Sequence, residues 1–201
     1  MARYTGPKNK LSRREGIDLF GTGGRSLERR LSIPPGGMHR RRRKPSDYGL
    51  QLREKQKVKR MYGLLERQFR HLFEQASRGV GVTGTRLLQL LEQRLDNVVY
   101  RLGFARTRLM ARQMVNHGHV LVDGRKVDVA SYRVMPGQTV RLTEAAMKMP
   151  VVEELLEDKS AYVPDWLQST DRGAGRMTRL PERNEMDAHI SEELIVEFYS
   201  R

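Results

Sequence analysis

Two imidazoles bracket a glycine in the stretch MVNHGHVLVDGRKVD (Met114 to Asp128), and Asp123 follows four residues after the second. Histidine and aspartate in so short a span could hold a metal ion or move a proton. The spacing argues against both. On a helix, positions i and i+2 point apart. On a strand they share a face, but Gly118 between them marks a turn. A zinc site needs further ligands, and His39, His71 and His189 lie in separate segments while cysteine is absent. No GxxxxGK[ST] phosphate loop, no GxSxG elbow and no cysteine nucleophile is present. The glycine-rich GTGGRS follows no apolar strand and reads as a turn. Asp96, Asp123 and Asp128 are scattered singly, and Asp96 in RLDNVVYR suits an ion pair with a nearby arginine. No catalytic residue, metal or cofactor is expected. Chemistry using only Asp, His and Lys is compatible with the composition, but no spacing supports it.

The cations point to a different chemistry. The net charge is +14 and it is unevenly spread. Residues 1–60 hold 18 Lys and Arg against 5 Asp and Glu, residues 61–143 hold 13 against 6, and residues 144–201 hold 7 against 13. Solubility requires no such gradient; the basic first two-thirds indicates a polyanion partner, and the acidic end faces solvent or meets a different partner such as a basic protein. Cations at phosphates release counterions, which makes binding steeply salt-dependent. The helix-like ARTRLMARQMVNHGH turns Leu109, Met110, Met114 and Val115 inward. It sets Arg108, Arg112, Gln113 and Asn116 toward the opposite side. His117, Arg125 and Lys126 join them if the following hairpin folds back. Such a donor surface can read phosphates, 2′-hydroxyls and base edges. A solvated basic face is the plainer alternative.

Further candidate RNA contacts lie upstream. They are Arg3, Tyr4, Lys8, Lys10, Arg13 and Arg14; the run Arg40, Arg41, Arg42, Arg43, Lys44; then Tyr48, Arg53, Lys55, Lys57, Lys59 and Arg60. The tyrosines could stack on unpaired bases or pack in the core. The basic run also reads as a solubilising tail or a localisation signal.

The elements that must position these groups follow from periodicity and punctuation. Residues 1–46 show little apolar periodicity and are expected to be an extended basic segment that orders on an anionic surface. Residues 47–91 read as a helical domain. Ser46 or Asp47 caps a first helix with a broken stripe of Leu50, Leu52, Val58 and Met61. Leu65, Phe69, Leu72, Phe73 and Ala76 line a second. Thr83 or Thr85 caps a third, whose stripe runs from Leu87 to Leu102. Residues 92–155 read as a second domain. There Thr107 caps a short helix, Gly118 stops it in the left-handed conformation, and Asp123-Gly124 signals a type I′ hairpin. The segment YRVMPGQTVRL adds a strand, a Pro136-Gly137 turn and another strand. TEAAMKMPVVEELLEDKSA is a helix or an extended connector. Residues 156–201 begin loop-rich, with Trp166 anchored on the core. They end in LIVEFY, which reads as a helix capped by Ser191 with an Ile190–Ile195 staple, or as a strand. No 18-residue apolar run and no secretory leader pattern is present, so no membrane span is expected.

The stretches PSDYGLQLREKQKVKRMYG, RLDNVVYRLGFARTRLMARQMVNHGHVLVDGRKVD, SYRV and LIVEFYS resemble the S-four family of bacterial small-subunit ribosomal proteins, nearly end to end. TRLMARQMVNHGHVLVDG is similar to the RNA-binding module named after that family. That module also occurs in pseudouridine synthases, tyrosyl-tRNA synthetases and heat-shock RNA-binding proteins. The resemblance implies an α+β fold with a discontinuous helical-bundle domain, completed by the returning C-terminal helix, beside a module of helices and an antiparallel sheet. It implies a primary binder of 16S ribosomal RNA that starts assembly of the subunit body. It also implies contact with ribosomal protein S-five and other small-subunit proteins, an influence on decoding accuracy, and a bacterial cytoplasmic location in the small subunit. The run from Arg40 to Lys44 would lie near the path by which messenger RNA enters. Many relatives bind zinc through four cysteines; here the first pair would fall at Asn9 and Ser12, so the chain resembles the cysteine-free members. Two other classes compete. An RNA-modifying enzyme needs a catalytic domain that the helical remainder does not supply. A DNA-compacting protein fits poorly with the acidic last quarter.

Overall fold

The computed structural model describes residues 4–21, 23–36, 44–158 and 162–200. In chain order its helices are α1 (Lys8–Glu15), α2 (Arg25–Glu28), α3 (Asp47–Met61), α4 (Glu66–Ser77), α5 (Thr83–Glu92), α6 (Leu95–Arg101) and α7 (Arg108–Asn116). Strands β1 (Val120–Val122), β2 (Arg125–Lys126) and β3 (Thr139–Leu142) follow. Then come α8 (Glu144–Met147), α9 (Pro150–Glu157), β4 (Leu167–Asp171), β5 (Ala174–Met177) and α10 (Glu192–Tyr199). The chain divides into two compact units, Met1–Leu87 with Ala188–Arg201, and Leu88–Asp187. The α+β class and the returning C-terminal helix are as expected.

In the first unit, Ser46 caps α3 by accepting the Gly49 N–H at 3.2 Å. The buried side of α3 differs from the expected apolar stripe. Leu50 faces solvent, while Gln51, Glu54 and Lys55 are buried with Val58 and Met61. The reason is α10, which lies on that side and meets it with polar partners. Gln51 donates to Glu197 at 2.8 Å, the Ser191 N–H donates to Glu54 at 2.9 Å, and Lys57 donates to the His189 carbonyl at 2.7 Å. Lys55 Nζ stands 4.4 Å over the Phe198 ring, and Phe73 stacks on Tyr199 at 4.4 Å. Ile190 and Ile195 are both buried, as a staple requires. Ser191 takes the cap position, but its side chain makes no cap bond.

The N-terminal segment is not simply extended. Its described residues form α1 and α2, bury Ser12, Leu19 and Leu27, and tie α1 to α3. Glu15 bonds Arg53 at 3.2 Å and also Arg60. Burial raises the Glu15 carboxyl above its ordinary value even though both guanidiniums pull it down. The Ser12 hydroxyl accepts the Leu19 N–H at 3.3 Å, and Asp18 accepts the N–H groups of Phe20 and Gly23. Arg13 reaches the carbonyls of Ile33 and Pro34. Polar anchors of this kind leave no trace in hydrophobic periodicity.

The second unit is built on a five-stranded antiparallel sheet in the order β2-β1-β3-β5-β4. Its inner face, with Val120, Val122, Val140, Leu142, Leu167 and Met177, packs in one core with α6, α7 and Trp166. Trp166 is fully buried. Three expectations fail here. The stripe from Leu87 to Leu102 is two helices, because Arg94 is extended and the chain there bonds outward. Leu95 N–H donates to Tyr132 O at 2.8 Å, and Val134 N–H donates to Gln93 O at 2.9 Å. The strand expected at YRV is reduced to an isolated bridge, Arg94 to Arg133. The loop-rich stretch after Trp166 holds β4 and β5, whose glycines hid them; Gly175 lets the strand approach Leu102. The uncertain connector is helical, as α8 and α9.

Glu66 closes the first unit electrostatically. Burial would raise its carboxyl, but bonds from Lys55 at 2.6 Å and Lys59 at 2.8 Å outweigh this and hold it at about 2, against an ordinary 4.5. A depressed folded value stabilises above the ordinary value and loses that stabilisation as pH falls toward the folded one. Urea midpoints of the wild type should therefore fall between about pH 4.5 and about pH 2 more steeply than those of Glu66→Gln. Parallel curves for the two proteins would show that Glu66 carries none of this dependence.

Candidate nucleic-acid interface

The junction of α7 with the β1–β2 hairpin is fixed by backbone chemistry. Thr107 caps α7 by accepting the Met110 N–H at 3.2 Å. The helix ends in a Schellman motif: His119 N–H donates to Met114 O at 3.1 Å and Gly118 N–H to Val115 O at 2.8 Å. Gly118 sits at φ +73. A Cβ there would fall 2.0 Å from Lys126 Cε, so the lysine stem lies directly over the glycine. The hairpin turns through Asp123 at φ 47 and Gly124 at φ 79, the type I′ geometry expected. Asp123 is structural: its carboxylate accepts the Thr139 N–H and the Gln138 side-chain amide, both at 2.9 Å.

This geometry gathers some of the candidate residues and withdraws others. Gln113, Asn116, His117, Arg125 and Lys126 are all exposed around the junction. Arg125 and Lys126 carry no ion pair. His117 and His119 stand 6.1 Å apart between ring centroids, and no group of three or more metal-ligating side chains occurs among the described residues. Arg112 does not stand on an outer face. It is 6% exposed and turned to Asp96 at 3.5 Å. Asp96 is buried and also takes a two-point bond from Arg94, at 3.1 and 2.8 Å. Arg108 is half-buried, donating to Asn97 at 2.8 Å and Asp187 at 3.1 Å, with Tyr100 under its guanidinium at 4.7 Å. The helical period misassigned both arginines because their partners lie on α6 and near residue 187, far off in sequence.

The α3 cations are likewise engaged internally. Arg53 and Arg60 meet Glu15, Lys55 and Lys59 meet Glu66, and Lys57 meets Glu54 at 2.7 Å. Tyr48 is half exposed with its ring tilted on Phe198, and Tyr4 is half exposed. Arg13 is occupied by backbone carbonyls. Lys8, Lys10, Arg14 and Lys44 remain exposed and form no salt bridge among the described residues. Arg3 and the run from Arg40 to Arg43 lie outside the described residues. On the sheet of the second unit, two exposed arginines escaped the sequence reading, Arg141 on β3 and Arg176 on β5. The alternation of TVRL marks Arg141 as outward, but the glycines around Arg176 concealed its strand.

Comparison with known proteins agrees with this architecture. The family model "Ribosomal protein S4/S9 N-terminal domain" matches residues 3–92, and "S4 domain" matches residues 93–140. Similar proteins named "Small ribosomal subunit protein uS4" occur in Lysinibacillus sphaericus (55% identical), Brevibacillus brevis (52%) and Bacillus cereus (54%). Each match covers 100% of both chains.

Two substitutions separate the buried from the exposed cations. Arg112→Ala leaves Asp96 with Arg94 alone and should cost about 2 kcal/mol of stability in urea. The salt slope of RNA binding should not move. Arg125→Ala should change stability by less than about 0.5 kcal/mol and lower the slope by about one. The reverse pattern would mean that Arg112, not Arg125, reaches the ligand. Gly118→Ala forces a left-handed alanine and displaces Lys126, which should lower stability by roughly 1–2 kcal/mol. An unchanged thermal midpoint would show that the junction tolerates a side chain.

Proposed function

Because the chain belongs to the uS4 family of small-ribosomal-subunit proteins, we propose that it is a structural RNA-binding component of the bacterial small subunit. In this reading it is a primary binder of 16S ribosomal RNA that starts assembly of the subunit body. The observation that carries the reading is the α7–hairpin junction, where exposed amides, an imidazole and unpaired cations converge on a rigid glycine corner. Lys126 and Arg125 neutralise phosphates and release counterions. Gln113 and Asn116 supply paired donor and acceptor atoms that can read base edges or 2′-hydroxyls. His117 adds one more donor or acceptor at the corner. In the first unit Lys8, Lys10, Arg14 and Lys44 extend the phosphate-binding set, joined by Arg3 and by Arg40 to Arg43.

The acidic last quarter calls for another partner. Exposed carboxylates such as Glu193 repel RNA and suit a basic protein neighbour, which the family resemblance names as S-five. An effect on decoding accuracy would pass through that contact. Lys44 and the adjoining arginines suit messenger RNA on its way into the subunit.

The test is nucleotide-resolution footprinting of purified 16S RNA, with random duplex DNA as competitor in gel shifts. A compact protected region and retention of the complex under excess DNA are expected. Equal affinity for duplex DNA would overturn the reading. Reconstitution of the subunit body with charge-reversed Glu193 reports on the protein neighbour; undiminished S-five incorporation would remove that part.

A further inference from the structure

The outer face of the sheet in the second unit carries cations that nothing in the fold neutralises. Register fixes which side chains share that face. Leu121 pairs with Lys126 on one side and Arg141 on the other, and Thr139 pairs with Arg176, which pairs with Gln168. Val120, Val122, Val140, Leu142 and Met177 occupy the opposite, buried face. Lys126, Arg141 and Arg176 are therefore displayed together. Strand spacing sets Lys126 and Arg141 about 10 Å apart, with Arg176 about 8 Å beyond.

An antiparallel sheet commonly shows one polar face to water, so polarity alone carries no argument. The pattern of pairing does. Elsewhere in this unit exposed arginines meet carboxylates: Arg106 meets Glu154 at 2.6 Å, Arg172 meets Glu153 at 3.7 Å, and Arg179 meets Glu185 at 2.6 Å. On the sheet face, Lys126 and Arg141 have no side-chain partner, and Arg176 donates only to the Gly137 carbonyl at 3.0 Å. Asp171, beside Ala174 at the edge of the sheet, forms no ion pair with any of the three. Among the cations stand Leu121 and Thr139, with Gln168 beyond Arg176 on the edge strand, uncharged groups that leave room for a chain to lie across the strands.

We propose that Lys126, Arg141 and Arg176 form a phosphate track on the outer sheet face, which carries an RNA backbone segment onward from the α7–hairpin junction. Lys126 belongs to both, since its stem crosses Gly118 while its strand partner Leu121 leads to Arg141. The contacts are to phosphates and are sequence-independent, so they add affinity and register without base readout. This rests on the RNA-binding reading above and extends its footprint to a second face of the same unit.

The experiment uses the full chain and a 16S RNA transcript, with binding measured across a salt series. The Arg141→Gln/Arg176→Gln double variant should bind more weakly and with a salt slope lower by about two. The Arg141→Lys/Arg176→Lys variant, which keeps both charges, should retain the wild-type slope. Matching thermal midpoints confirm that all three proteins are folded. A double Gln variant with the wild-type slope would overturn the track while leaving the junction intact. Failure of the wild type itself to bind the transcript would overturn the RNA-binding reading and the track with it.

Discussion

A carboxylate buried away from water obliges the fold to bring cations to it, and in this chain two such carboxylates lie at the break between α5 and α6. Asp96 is held by Arg94 and Arg112. Glu92 accepts from Arg101 at 3.0 and 2.8 Å and from Asn97 at 2.7 Å. Leaving either charge uncompensated would cost several kcal/mol. The pairs therefore set where α6 starts and how α7 lies against it. Arg108 extends the network to Asp187. The direction of α7 decides where its Schellman end falls, and that end positions Gly118 under Lys126. The exposed donors of the junction thus depend on charges that never reach the surface.

The cations of this protein accordingly fall into two populations. One is committed internally: Arg94, Arg101, Arg108 and Arg112 in the second unit, and Arg53, Lys55, Lys57, Lys59 and Arg60 on α3. The other forms no salt bridge among the described residues and includes Lys8, Lys10, Arg14, Lys44, Arg125, Lys126, Arg141 and Arg176. The second can displace counterions from a nucleic acid without first breaking an internal ion pair. A net charge counts both alike, so it overstates the surface available to a polyanion.

This division explains what could be read from residues alone. Local chemistry was legible. Ser46 and Thr107 cap where their side chains can reach a backbone N–H, Gly118 stops α7, and Asp123-Gly124 turns the hairpin, because each depends on neighbours a few residues away. The fully buried Trp166 and the stapled isoleucines followed from apolarity. The break at Arg94 was not legible, since it arises from bonds to residues 130–134 and no glycine or proline marks it. The inward turn of Arg112 and the polar side of α3 failed for the same reason. Strands β4 and β5 were lost because Gly173 and Gly175 serve close packing, which resembles loop composition. The family resemblance supplied the return of the last helix, which no local pattern carries.

That return has a consequence for the order of events on a translating ribosome. The buried polar side of α3, with Gln51, Glu54 and Lys55, is met by residues 189–199. Helices α3 and α4 emerge early, yet their partners arrive some 130 residues later, the separation between Lys57 and His189 being 132. The unit from Leu88 to Asp187 is continuous and has all its strands in hand before α10 exists. The part of the protein synthesised first is thus the part that must wait, half-assembled and with the polar side of α3 uncovered, for the end of the chain.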